Sequence, residues 1–163
     1  MFCSGINLTH LYQGKIPFLF YFDHIMGYEH KILRGLARPD ASPEDSAGAT
    51  IEKAWIAAVD AFAIGGGCQH LLVMDYVLAA KDAYMTLPAR KEGIIPGAAN
   101  LRLARFVGDR IARQLIMMGR RLECDSPEGR LICDEVVAPE AMEATLARIP
   151  YSRRPTRSGS SSC

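Results

Sequence analysis

Residues 61–80 read AFAIGGGCQHLLVMDYVLAA. An apolar run enters three consecutive glycines, and an apolar run leaves them. A turn without side chains lets backbone N–H groups approach another group closely, and a helix that starts there adds its own unpaired N–H donors. The stretch therefore predicts strand, glycine turn and short helix, the helix ending near Leu72. Working outward, Trp55–Val59 (WIAAV) predicts a buried strand. Met74–Ala80 and Ala83–Leu87 predict two more, with a tight turn at Lys81-Asp82. Strands alternating with helices point to an α/β fold.

The flanks add helices. Pro17–Leu36 is apolar and aromatic with proline near its first turn, and Arg38–Ala49 reads as an exposed loop. In the stretch LPARKEGIIPGAANLRLARFVG, two prolines and two glycines precede a helix. Leu103, Val107, Ile111, Leu115 and Met118 fall on its apolar face, and Arg102, Arg105, Asp109 and Arg113 on the other. Gly108 is expected to break it. Glu135–Val137 reads as a last strand, and Pro139 opens an amphipathic helix carrying Met142, Leu146 and Ile149. Residues 151–163 (YSRRPTRSGSSSC) lack an apolar pattern and read as a disordered tail beyond a domain spanning 1–150.

Composition narrows the function. The chain has 163 residues, 49% apolar, with a net charge of +1. One domain with a core fits this length, and a near-neutral balance gives no reason to expect nucleic acid or a membrane surface as partner. There is no signal-peptide pattern, so a cytoplasmic location is expected. The five cysteines are scattered without CxxC, which predicts reduced thiols. The four histidines form no HExxH or Cys/His pairing, so no metal site is expected.

The glycine turn itself admits several chemistries. A dinucleotide fingerprint needs GxGxxG, but GGGCQH lacks the third glycine. A P-loop needs GK[ST], also absent. An oxyanion hole needs only backbone N–H groups at a helix start, aimed at a carbonyl oxygen that gains charge. A turn kept for tight packing remains the alternative.

Taken together, FCSGINL (2–8), VDAFAIGGGCQ (59–69) and the stretch from Leu87 to Gly108 resemble the crotonase (enoyl-CoA hydratase/isomerase) superfamily over residues 2 to about 148. The resemblance implies an α/β, ClpP/crotonase-like spiral of ββα units with an incomplete core, since the family's first strands and closing C-terminal helices have no counterpart here. It implies a CoA thioester as ligand, with the backbone N–H groups of Ile6 and Gly66 on its carbonyl and Ser4, Gly5, Asn7, Leu8 and Thr9 along the CoA. It also implies trimer-based self-association for the full fold.

The family's hydratases place two glutamates where this chain has Gln69 and Ala89. Neither residue can exchange a proton at neutral pH, so water addition is not expected. YMTLPARKEGIIPGAANLRLARFVGDRIARQLIMMGRRL (84–122) and LICDEVVAPE (131–140) are similar to the superfamily's cofactor-independent arylacetyl-CoA dioxygenase branch. That branch forms an enolate, reacts it with dioxygen without metal or flavin, and releases an arylglyoxylate and CoA. The resemblance puts Ala89, Ile94, Ile95, Pro96 and Gly97 around the oxygen and substrate. It puts Gln69 within reach of a substrate hydroxyl or the thioester, and His24 where the branch has a substrate-binding arginine. The alternatives are an isomerase or hydrolase on another acyl-CoA, and an inactive thioester-binding fragment or assembly partner.

Overall fold

The computed structural model describes residues 3, 4, 9, 13, 54–97 and 99–149. The expected helix over 17–36, the loop over 38–49 and the tail over 151–163 lie outside them.

The chain runs β1 (Ile56–Val59), β2 (Phe62–Ile64), α1 (Gly66–Leu71), β3 (Tyr76–Ala80), β4 (Tyr84–Thr86), α2 (Ala99–Arg113), β5 (Arg121–Glu123), β6 (Glu135–Val137) and α3 (Met142–Arg148). The strands form two sheets, ordered β1-β3-β6 and β2-β4-β5. β1 pairs parallel with β3, Ile56 opposite Tyr76, and β2 pairs parallel with β4, Phe62 opposite Tyr84. Each ββ pair thus sends one strand into each sheet, and α1 carries the chain back to repeat the step. This is the expected ββα spiral. The Lys81-Asp82 turn forms, and it hands the chain from one sheet to the other instead of closing a hairpin.

Burial explains the strands. β1 alternates half-buried Ile56 and Ala58 with buried Ala57 and Val59. β3 sits between two parallel neighbours, and four of its five residues are buried. A strand covered on both faces reads as a continuous apolar run. Leu71, Leu78, Met85, Leu87, Leu103, Leu115 and Leu122 are fully buried. Each such side chain contributes roughly 1.5–3 kcal/mol relative to exposure. Among the described residues no helix is long and apolar enough to cross a membrane.

Three expectations change. α2 breaks at Gly108 as expected, with φ 76 and ψ 159. Its apolar face ends earlier: Met118 is 69% exposed. The backbone widens into a π turn over Gln114–Met118, which shifts the phase of the last residues before Gly119 ends the element at φ 63. In α3 the inward row is half-buried Met142 and buried Thr145, followed by buried Ile149 just past the helix end, not Leu146, which is 36% exposed. A 3₁₀ turn over Pro139–Ala141 precedes the helix and sets that phase. Finally, β5 has no counterpart among the expected strands. Leu122 is its only apolar residue, and Arg121 lies 3.6 Å over the Tyr84 ring on β4.

Candidate functional site

The site begins where β2 ends. Gly65 has φ 57 and ψ −118, a conformation open to glycine and strained for residues with a Cβ. Its N–H donates to the Thr86 carbonyl at 3.0 Å, which pins the turn to the end of β4. A Cβ on Gly67 would stand 2.6 Å from the Cys3 carbonyl oxygen. Cys3 pairs parallel with Ala63: the Ile64 N–H donates to the Cys3 carbonyl at 2.9 Å. So Cys3, the first described residue of the FCSGINL stretch, reaches the glycine turn. Ser4 and Thr9 are exposed. Gly5, Ile6, Asn7, Leu8 and His24 lie outside the described residues.

Gly66 differs from its neighbour. A Cβ there would meet nothing within 4 Å. As the first residue of α1, its N–H has no acceptor within the helix. An N–H left without an intrahelical acceptor is the kind of donor that carbonyl polarisation uses.

The loop after β4 carries the other expected site residues. Ala89 and Pro96 are buried, Ile94 and Gly97 half-buried, and the Ile94 N–H closes the loop onto the Ala89 carbonyl at 3.0 Å. Ile95 stands apart from them, 78% exposed. Gln69, one helical turn beyond Gly66, is buried at 6% exposure. Its Oε1 accepts from the Ala99 N–H at 3.2 Å, an N–H that the Pro96 carbonyl also takes at 3.1 Å.

The surroundings are dry. Burial pushes the Cys68 thiol up to about 12, with Cys124 beside it adding to the shift. Burial lowers the pKa of His70 and so favours its neutral form, and its Nε2 has no hydrogen-bond partner. Burial also raises the Glu92 carboxyl. Glu92 is a titratable group of this loop that the sequence reading passed over, because Arg90-Lys91-Glu92 looks like an ordinary solvated charge run. Among the described residues no group of three or more His, Cys, Asp or Glu side chains could hold a metal ion.

A family model described as enoyl-CoA hydratase/isomerase matches residues 1–149. The chain belongs to that family. It is 55% identical over 147 residues to the (3,5-dihydroxyphenyl)acetyl-CoA 1,2-dioxygenase of Amycolatopsis orientalis, covering 90% of this chain and 33% of that one. It is 34% identical over 122 residues to a probable enoyl-CoA hydratase of Rhizobium meliloti, covering 71% of this chain and 48% of that one. This enoyl-CoA hydratase/isomerase family member thus spans a third to a half of the length of these curated relatives. Among solved structures, an enoyl-CoA hydratase/isomerase from Cupriavidus metallidurans superimposes with a TM-score of 0.68 at 28% identity, over 92% of this chain and 54% of that one. The crotonase fold is therefore established for the described residues.

Proposed function

We propose that the glycine-turn site binds an arylacetyl-CoA and oxygenates it. The observation that carries this reading is the pair Gln69 and Ala89. Both are buried and neither titrates, at the positions where the hydratase resemblance calls for glutamates. The 55% identity to a dioxygenase acting on (3,5-dihydroxyphenyl)acetyl-CoA supports the same choice. The names of lower-identity relatives favour the second reading, another acyl-CoA reaction, which would need a proton-transfer pair from elsewhere in the chain.

In the proposed reaction the thioester carbonyl receives the backbone N–H groups of Ile6 and Gly66. Loss of a proton from the adjacent carbon gives an enolate, whose oxygen these donors hold. Dioxygen bonds to that carbon, the outer peroxide oxygen attacks the thioester carbonyl carbon and expels CoA as thiolate, and loss of the remaining α-proton as the O–O bond breaks leaves the arylglyoxylate. Of the two protons released, one goes to the CoA thiolate and one to solvent. All three product oxygens come from the thioester carbonyl and dioxygen, so the balance needs no other oxidant, metal or flavin. Dioxygen is apolar, and the walls formed by Ala89, Ile94 and Pro96 suit it. A glutamate at position 89 would fill that space and bring a charge that is costly to bury. Ile95 and Gly97 would border the substrate, and Ser4 to Thr9 would follow the CoA. Gln69 would offer its amide nitrogen to a phenol oxygen or to the thioester, and His24 would meet a second phenol oxygen. A trimer-based assembly belongs to the same proposal.

The test is oxygen consumption with release of free CoA, on purified protein given (3,5-dihydroxyphenyl)acetyl-CoA without added metal or flavin. Uptake equal to CoA release is the expected result. A folded sample that binds the thioester and consumes no oxygen overturns the dioxygenase reading.

A further inference from the structure

We infer that Gln69 is a positioning residue, which ties the oxyanion helix to the loop after β4. The inference rests on the proposed oxygenation for its consequence and on geometry for its substance. Gln69 projects from α1, three residues after the proposed donor Gly66. Its Oε1 reaches the Ala99 N–H at 3.2 Å, across 30 residues of chain, at the first residue of α2. Ala99 follows the Ile94–Gly97 segment almost directly. The same N–H is shared with the Pro96 carbonyl, so a single three-centre bond joins α1, the end of the loop and the start of α2.

Two consequences follow. The Ala99 N–H is a donor, so the amide sits with its oxygen toward it, since the flipped amide would set two donors against each other. Any ligand reaching Gln69 meets an N–H donor, never its carbonyl. The tie also fixes how far Ile94 and Pro96 stand from Gly66. Under the proposed reaction, that spacing sets the room left for dioxygen.

Two variants separate this role from simple substrate contact. Gln69→Met keeps the side-chain volume and removes both hydrogen-bonding functions. Gln69→Glu keeps the acceptor and loses the donor. Amide hydrogen exchange on the intact chain, read at residues 94–99, needs no turnover. Gln69→Met is expected to speed exchange there by about fivefold with the rest of the chain unchanged, and Gln69→Glu to return it to the wild-type rate. In turnover, Gln69→Met is expected to raise KM for dioxygen several-fold, and Gln69→Glu, which loses the donor offered to the substrate but keeps the tie, to leave that KM at the wild-type value. Wild-type exchange in Gln69→Met overturns the inference, as does equal loosening in both variants or a rise confined to the thioester KM. If Gln69→Met loosens the whole chain, Gln69→Glu alone decides: loosening at residues 94–99 overturns the tie, and wild-type exchange supports it. A wild-type chain with 94–99 protected but no oxygen uptake sinks the dioxygenase reading and leaves the tie standing.

Discussion

Gly66 and Gly67 are adjacent and chemically identical, yet the structure gives them opposite constraints. A methyl on Gly67 would lie 2.6 Å from the Cys3 carbonyl oxygen and 2.7 Å from the Cys3 Cβ. Backbone must move to admit it, and the movement would push the Cys3 segment off β2. Gly67→Ala is therefore expected to destabilise the chain by about 1–3 kcal/mol, read as a lowered denaturant midpoint. Gly66→Ala meets open space and is expected to leave that midpoint nearly unchanged. Its methyl would project from the residue proposed to polarise the thioester, so thioester binding and turnover should fall while the fold persists. A stable Gly67→Ala, or a Gly66→Ala that binds thioester like wild type, would contradict this division. Sequence alone shows three interchangeable glycines here. Their roles separate only once Cys3, some 60 residues away in the chain, is seen packed against one of them.

At the scale of elements, α2 is two helical segments joined at Gly108, whose φ 76 and ψ 159 are open to glycine almost alone. Gly108→Ala is expected to cost about 1–3 kcal/mol, although no neighbour lies within 4 Å of the new methyl. The cost would come from the backbone, so a bulkier side chain at 108 should cost little more than alanine. A steep dependence on side-chain size would point to packing instead. This kink was legible in the sequence because glycine interrupts an otherwise regular apolar period. Strands β1, β3, β4 and β6 were legible too, since their apolar runs are bounded by turn residues. β5 was not: its three residues carry one apolar side chain, and it is held by Tyr84 and Met85 of another strand. Met118 and Leu146 were misplaced for a different reason. A fixed period of 3.6 residues fails where a π turn or a 3₁₀ turn resets the phase. In the site, the Gly65–Gln69 turn could be named from its residue types, the Ala89–Gly97 loop only from the family resemblance. The Gln69–Ala99 bond could not, because no local pattern couples positions 30 residues apart.

For the whole molecule, the balance between folded and unfolded chain carries a signature of one half-buried base. Burial lowers the His70 pKa from its ordinary 6.5, and the Nε2 atom has no partner to repay desolvation. Above pH 6.5 the imidazole is neutral in both states, and its effect on stability is constant. As the pH falls below that value, the unfolded chain takes up a proton that the folded chain refuses. Stability then declines until the depressed folded pKa is reached. Glu92 acts in the opposite sense: its raised pKa makes the folded chain bind a proton first as the solution becomes acidic. Asp125, held down chiefly by Arg130, and Glu128, held down by its own backbone N–H and Arg120, lose their contributions only at lower pH. Replacing His70 by methionine removes the first effect and leaves the others in place. Melting temperatures measured at about pH 7.5 and about pH 5.5 should therefore differ less in His70→Met than in wild type. The variant should also be no less stable than wild type near neutrality, since an unpartnered polar atom gives way to a thioether that needs none. An unchanged pH difference in the variant would mean that His70 titrates alike in both states, and that its ring is solvated in the folded chain.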